Sequence, residues 1–129
     1  MAKNYTLNCS LNMTANSGTG YSQSQNGSYQ LNITGVDQIA TGRIDVAHDG
    51  DSTVMAAPGS GRFVYVRNLD DTNFVKIYDG ASSAADLIGI LEPGHFLMTI
   101  IRGTGTTTAK ADTATVTIEY AAIEIDANA

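Results

Sequence analysis

The sequence predicts an all-β protein, an antiparallel β-sandwich or jelly roll of about eight strands. Three observations carry this. Long stretches alternate apolar and polar residues with period two, which places one face of a strand inward and the other outward. Gly-, Asn-, Asp- and Pro-rich breaks recur between them. Ser, Thr, Asn and Gly stand where a helical protein would carry Glu, Lys and Ala, since charged residues make up only 16% of the 129 residues.

The first strand is the clearest. Tyr5, Leu7, Cys9, Leu11 and Met13 alternate with Thr6, Asn8, Ser10 and Asn12. Residues 15–26 are mostly Gly, Ser, Gln and Asn with one tyrosine and read as a loop or hairpin tip. Tyr29, Leu31 and Ile33 resume the alternation, which ends at Gly35. Residues 36–47 read as two short strand pieces about Gly42. His48-Asp-Gly-Asp51 and the segment 57–61 are breaks.

In the second half, residues 62–67 are apolar on both faces, as in a strand covered on both sides. Residues 68–73 form a turn and 74–78 a return strand, so the two should pair as a hairpin. Asp79-Gly80 breaks the chain, and residues 81–86 hold at most one helical turn. Residues 87–91 are a short buried run, Pro93-Gly94 a tight turn, and 96–101 another strand apolar on both faces. Residues 103–108 are a hairpin tip, and 115–125 the last strand. There Val116, Ile118 and Tyr120 give way to Ala121, Ile123 and Ile125, a one-residue slip that predicts a β-bulge.

Composition narrows function. The net charge is −6, and the seven Lys and Arg residues form no run. Counterion release from phosphates needs clustered cations, so no nucleic-acid partner is expected. No stretch approaches the roughly 18 apolar residues of a helical membrane span, and residues 1–6 lack the apolar run of a signal peptide, so no membrane partner is expected. The single cysteine, Cys9, reads as a small buried hydrophobe with no disulfide partner.

Catalytic and metal chemistry find no constellation. His48 and His95 both fall at turns, and no Gly-x-Ser-x-Gly elbow exists. Asp45, Asp49, Asp51, Asp70 and Asp71 lie where turns favour aspartate, and their spacing does not match a twelve-residue calcium loop. Gly103 to Thr108 lacks the Gly-Lys-Ser/Thr ending of a phosphate loop. No catalytic residue, cofactor or metal ligand is assigned. Asn68, Asp70, Asn73, Pro93, Gly94, Lys110 and Asp112 are read as fold-setting turn residues, with Lys110 and Asp112 flanking the last turn. Tyr5, Leu7, Tyr21 and Tyr29 are the candidate partner contacts.

The second half carries an ordered set of motifs: Phe63-Val-Tyr-Val-Arg-Asn-Leu-Asp-Asp-Thr-Asn-Phe-Val-Lys-Ile77, Ile90-Leu-Glu-Pro-Gly-His-Phe96, Ile100-Ile-Arg102, Ala109-Lys-Ala-Asp-Thr-Ala-Thr-Val116 and Ile118-Glu-Tyr120. Over about residues 62–125 this resembles small virion structural proteins of tailed bacteriophages, with His95 replacing the usual acidic residue after Pro-Gly. The resemblance implies a role in the particle and not a chemistry; taken with the polar compact chain and the absence of a reacting site, it leads to the expectation of a capsid decoration (cement) protein that binds the outer shell, made in the host cytoplasm and carried on the virion. The expected partners are the major capsid protein or other virion proteins. Residues 62–67 and 96–101 are apolar on both faces, more than one thin sandwich can hide, so the expected state is a homo-oligomer, a trimer. A tail, neck or fibre-associated component, or a carbohydrate- or receptor-binding module, are the alternatives. The expected organisation is one domain over 1–129, with 62–125 as core scaffold and 1–34 as an arm or edge-strand extension.

Overall fold

The computed structural model describes residues 3–14, 24–36, 39–56, 61–83, 86–102 and 105–125; within the first two segments, side chains are described at residues 4, 6–10, 28 and 30. Ten strands follow in chain order: β1 (Lys3–Thr14), β2 (Ser24–Val36), β3 (Ile39–Val46), β4 (Ser52–Met55), β5 (Arg62–Asn68), β6 (Val75–Asp79), β7 (Asp86–Leu91), β8 (Phe96–Ile101), β9 (Thr107–Ala111) and β10 (Val116–Glu124). The described residues contain no helix.

β1 and β2 form a two-stranded ribbon and pair with nothing else among the described residues. The other eight make two four-stranded sheets, ordered β3-β10-β5-β8 and β4-β9-β6-β7. Every pairing is antiparallel, and the pairs nest: β3 with β10, β4 with β9, β5 with β8, β6 with β7. Eight nested strands divided between two sheets are one long hairpin wound over itself. That is the jelly-roll form of the β-sandwich.

The core lies between the sheets. Val46, Val64, Val66, Val116, Ile118 and Ala122 come from one sheet; Val54, Met55, Val75, Ile77, Leu91, Ala109 and Ala111 come from the other. Small β-branched residues suit this space, because two pleated faces about 10 Å apart leave room for short interdigitating side chains. One charge is buried among them. Arg62 is fully buried, donating from Nε to Thr107 Oγ1 and from Nη2 to Asp79 Oδ1, each at 2.5 Å. It ties β5 of one sheet to β6 and β9 of the other.

Several expectations change. Residues 39–46 are one strand: Gly42 has φ 143°, a conformation that favours glycine, yet it pairs with Tyr120 in unbroken register. Pairing along the whole of β10 carries the chain through the local break. β5 and β6 do not form a hairpin. Both edges of β5 are occupied, by β10 and β8, so the 68–73 turn carries the chain across to the second sheet. β10 has no bulge; its register with β3 and β5 is continuous. Ala122 faces the core and Ile123 the outer face, where it packs with Leu7, Phe63 and Ile125. The slip in the pattern marks a strand buried on both sides at one end.

Thr107 and Thr108 are buried at the start of β9, and Lys110 lies within that strand, not beside the last turn. β4 joins β9 where no strand is expected. In β7 only Leu91 is buried, while Leu87 and Ile90 face outward.

Candidate functional site

The 68–73 turn and the Pro93-Gly94 turn meet at one end of the sandwich. Buried Asn68 donates through Nδ2 to the Asn73 and Leu91 carbonyls, both at 2.9 Å, and accepts from Asp70 N at 2.8 Å. Its backbone N donates to the His95 carbonyl, and its own carbonyl accepts from Gly94 N. Asp70 Oδ2 accepts from the backbone N of Thr72 (3.0 Å) and Asn73 (2.6 Å), and these bonds, Asn73 foremost, hold its carboxyl below the usual aspartate range. Thr113 Oγ1 donates to Asn73 Oδ1 at 3.1 Å, joining the last turn to the same cluster. These side chains are engaged in holding backbone and one another, so the cluster organises loops and offers no reacting group.

On the outer face of the second sheet, Lys76 and Lys110 are direct cross-strand partners. With His48, Tyr78, Ser82 and Asp112 they line a shallow polar groove of about 220 Å³. Like charges placed opposite each other are mildly destabilising. Asp51 feels the charge of Lys110, but its oxygens accept from Ser82 Oγ and from Ser82 N at 2.9 Å, and those bonds chiefly hold it below the usual range. Asp112 lines the same groove, so the two lysines share it with a carboxylate. Among the described residues no three of His, Cys, Asp and Glu converge as a metal site would require.

The outer face of the first sheet differs. The register sets three rows across it: Ile39, Ile123, Phe63 and Ile100; Thr41, Ala121, Tyr65 and Met98; Arg43, Glu119, Arg67 and Phe96. Two rows are largely apolar, and the third is a charged rim ending in a phenylalanine. At the rim Arg43 approaches Glu119 at 3.9 Å, and Tyr65 donates to Glu119 at 3.0 Å. Partial burial, with Glu119 adding to it, pushes the Tyr65 phenol up.

The ribbon lies over this face. Leu7 packs on Ile123 and Phe63, and Cys9 Sγ is 4.0 Å from Met98 Sδ. Cys9 is half-buried and not a core residue. Between ribbon and sheet is an open, largely apolar groove of about 440 Å³, lined by Leu7, Cys9, Gln30, Phe63, Met98, Thr99 and Ile100. The β8 side chains remain exposed, Met98 (45%) and Ile100 (46%) at the groove and Phe96 (59%) beyond it.

β8 is also the edge of its sheet. Edge strands are normally blunted by charge, shortness, proline or a bulge. β3 carries Arg43 and Asp45, β4 is four residues long, and β7 begins with Asp86 and has a register shift against β6. β8 reads Phe-Leu-Met-Thr-Ile-Ile, with no such device.

Of the candidate contacts read from sequence, Leu7 is on the ribbon and against the sheet. Tyr5 and Tyr29 are in β1 and β2, in register with Ile33 and Cys9 respectively, and Tyr21 lies outside the described residues. Phe96, Met98 and Ile100 of β8 are not among those candidates. Their signal is nevertheless present in the sequence, as a strand apolar on both faces, more than one sandwich core can hide. Comparison with family models, curated proteins and solved structures finds no match.

Proposed function

We propose that this is a non-catalytic structural protein of a bacteriophage particle, a decoration or cement protein that holds neighbouring subunits through the outer face of the β3-β10-β5-β8 sheet. The observation that carries the reading is the uncharged β8 edge with its exposed Phe96, Met98 and Ile100. Half-buried Phe63 and Tyr65 adjoin them in the same rows, and an exposed apolar patch with a polar rim is the mark of an interaction surface. An edge of this kind left open is an aggregation site, so it needs a protein partner. The jelly roll itself fits a shell component, since that architecture recurs in capsid proteins, though it also serves lectins.

A second reading, a carbohydrate- or receptor-binding module, draws on the same fold. Sugar sites pair an aromatic platform with convergent polar groups, and the groove lining here is largely apolar, with Gln30 and Thr99 its polar side chains. The test is co-sedimentation with shells of the source phage lacking this protein. Native protein is expected to pellet with the shells and raise their resistance to heat, and Phe96→Asp to remain in the supernatant. Equal binding by both proteins would overturn the assignment of the surface, and no binding by either would overturn the function.

A further inference from the structure

The ribbon and the remainder of the chain differ sharply in charge. Residues 1–36 hold one charged side chain, Lys3, and so carry +1. The other six basic and all 13 acidic residues lie in 37–129, which carry 6 − 13 = −7. Contact between the bodies of two copies therefore sets −7 against −7. Contact between one copy's ribbon and another's body meets no such repulsion.

The ribbon also crosses its own sheet. Leu7 lies over β10 and β5, and two residues later Cys9 lies over β8, the edge. β1 then runs five residues further, to Thr14, paired in register with β2 as far as Ser24. At about 3.4 Å per residue those five residues extend roughly 17 Å beyond Cys9. A two-stranded ribbon is only marginally stable in water without a surface to cover it.

We propose that the far end of the ribbon closes over β8 of a second copy of this chain, head to tail, so that each copy supplies a ribbon and receives one. This rests on the reading of the outer sheet face as an interaction surface and names its occupant. Both features are satisfied at once: the overhanging ribbon gains a surface, and the part of the β8 edge that its own ribbon leaves exposed, Phe96 foremost, gains a cover. Because donor and acceptor surfaces differ, the contact is heterologous. It closes into a ring where the rotation between copies allows, and a trimer is the ring of lowest order above a dimer.

Complementation tests the proposal. Phe96→Asp spoils the receiving strip and leaves the ribbon intact; a variant with residues 12–26 replaced by Asn-Gly shortens the ribbon and leaves the strip intact. Light scattering at micromolar concentration is expected to give an oligomer for the native protein, monomers for each variant, and a 1:1 dimer for their mixture. A native monomer, an oligomeric Phe96→Asp protein, or a mixture that stays monomeric would each overturn it. Hydrogen exchange on the native protein tests the same contact without the shortened variant. On dilution to monomer, amides of residues 10–14 and 96–101 are expected to lose protection together; loss at 96–101 alone would mean a strip-to-strip contact and contradict the head-to-tail arrangement. Self-association and shell binding are measured separately, so a ring that fails to bind shells would refute the function and leave this contact standing.

Discussion

At the scale of single residues, two buried polar side chains hold the architecture. Asn68 satisfies three backbone groups in the turns that join the sheets. Asn68→Ala leaves the Leu91 and Asn73 carbonyls and the Asp70 amide without that partner, and is expected to cost about 2–4 kcal/mol by chemical denaturation. Arg62 is the only fully buried charge among the described residues, and it bonds Thr107 and Asp79 of the opposite sheet. Asn68 is legible in the sequence as a turn residue because a short amide side chain bonds local backbone. Arg62 is not: after a Gly-rich break, an arginine reads as solvated, and nothing local announces Asp79 and Thr107. The aspartates set the pH response. Asp51 and Asp70 are held below their unfolded values by hydrogen bonds, so their contribution is present above the usual aspartate pKa of about 3.9 and is lost as pH falls through their lower folded values. The melting temperature is expected to fall as pH drops from 5 toward 2, and more gently in an Asp51→Asn/Asp70→Asn double variant. Parallel slopes for the two proteins would contradict the assignment.

At the scale of elements, the period-two pattern locates strands wherever side chains are large. β1, β5, β8 and β10 stand out because Leu, Ile, Val, Phe and Tyr mark their faces. β9 (Thr-Thr-Ala-Lys-Ala) and β4 (Ser-Thr-Val-Met) do not, since small and hydroxylated residues serve strands and loops alike. The expected 62–78 hairpin fails for a different reason. Chain neighbours usually pair, but in nested winding the partners of β5 are β8 and β10, and no local signal distinguishes a turn within a sheet from one between sheets. The Pro93-Gly94 turn is readable to the residue: His95 N donates to the Glu92 carbonyl at 2.9 Å, and Gly94 has φ 79°. Gly94→Ala meets open space but a strained backbone, so it is expected to cost about 1 kcal/mol. Gly50→Ala, also in open space and without positive φ, should be neutral or add about 0.5 kcal/mol. Equal effects at the two sites would mean that contacts, not backbone conformation, set the cost.

At the scale of the whole molecule, the jelly roll is complete without the ribbon. Among the described residues the buried core between the sheets draws on β3 to β10, and the ribbon's described apolar packing is against Ile123 and Phe63 on the outside. Deleting residues 1–36 is therefore expected to leave a cooperatively folding β protein with a lower melting temperature. Loss of cooperative unfolding would show the ribbon to be core. The candidate surface is half visible in the sequence. A strand apolar on both faces signals a second partner, but which side faces the core follows only from register. The exclusions by charge come from composition alone, whereas the contrast between an acidic body and a nearly uncharged ribbon acquires meaning only when the ribbon stands apart as its own sheet. The proposal that this protein works on a phage particle by covering and being covered on the β8 face is tested most directly by a side-chain-resolution electron cryomicroscopy map of that particle. The jelly roll is expected on the shell exterior, with Phe96, Met98 and Ile100 buried against protein. A particle-bound copy with that face open to solvent would contradict it.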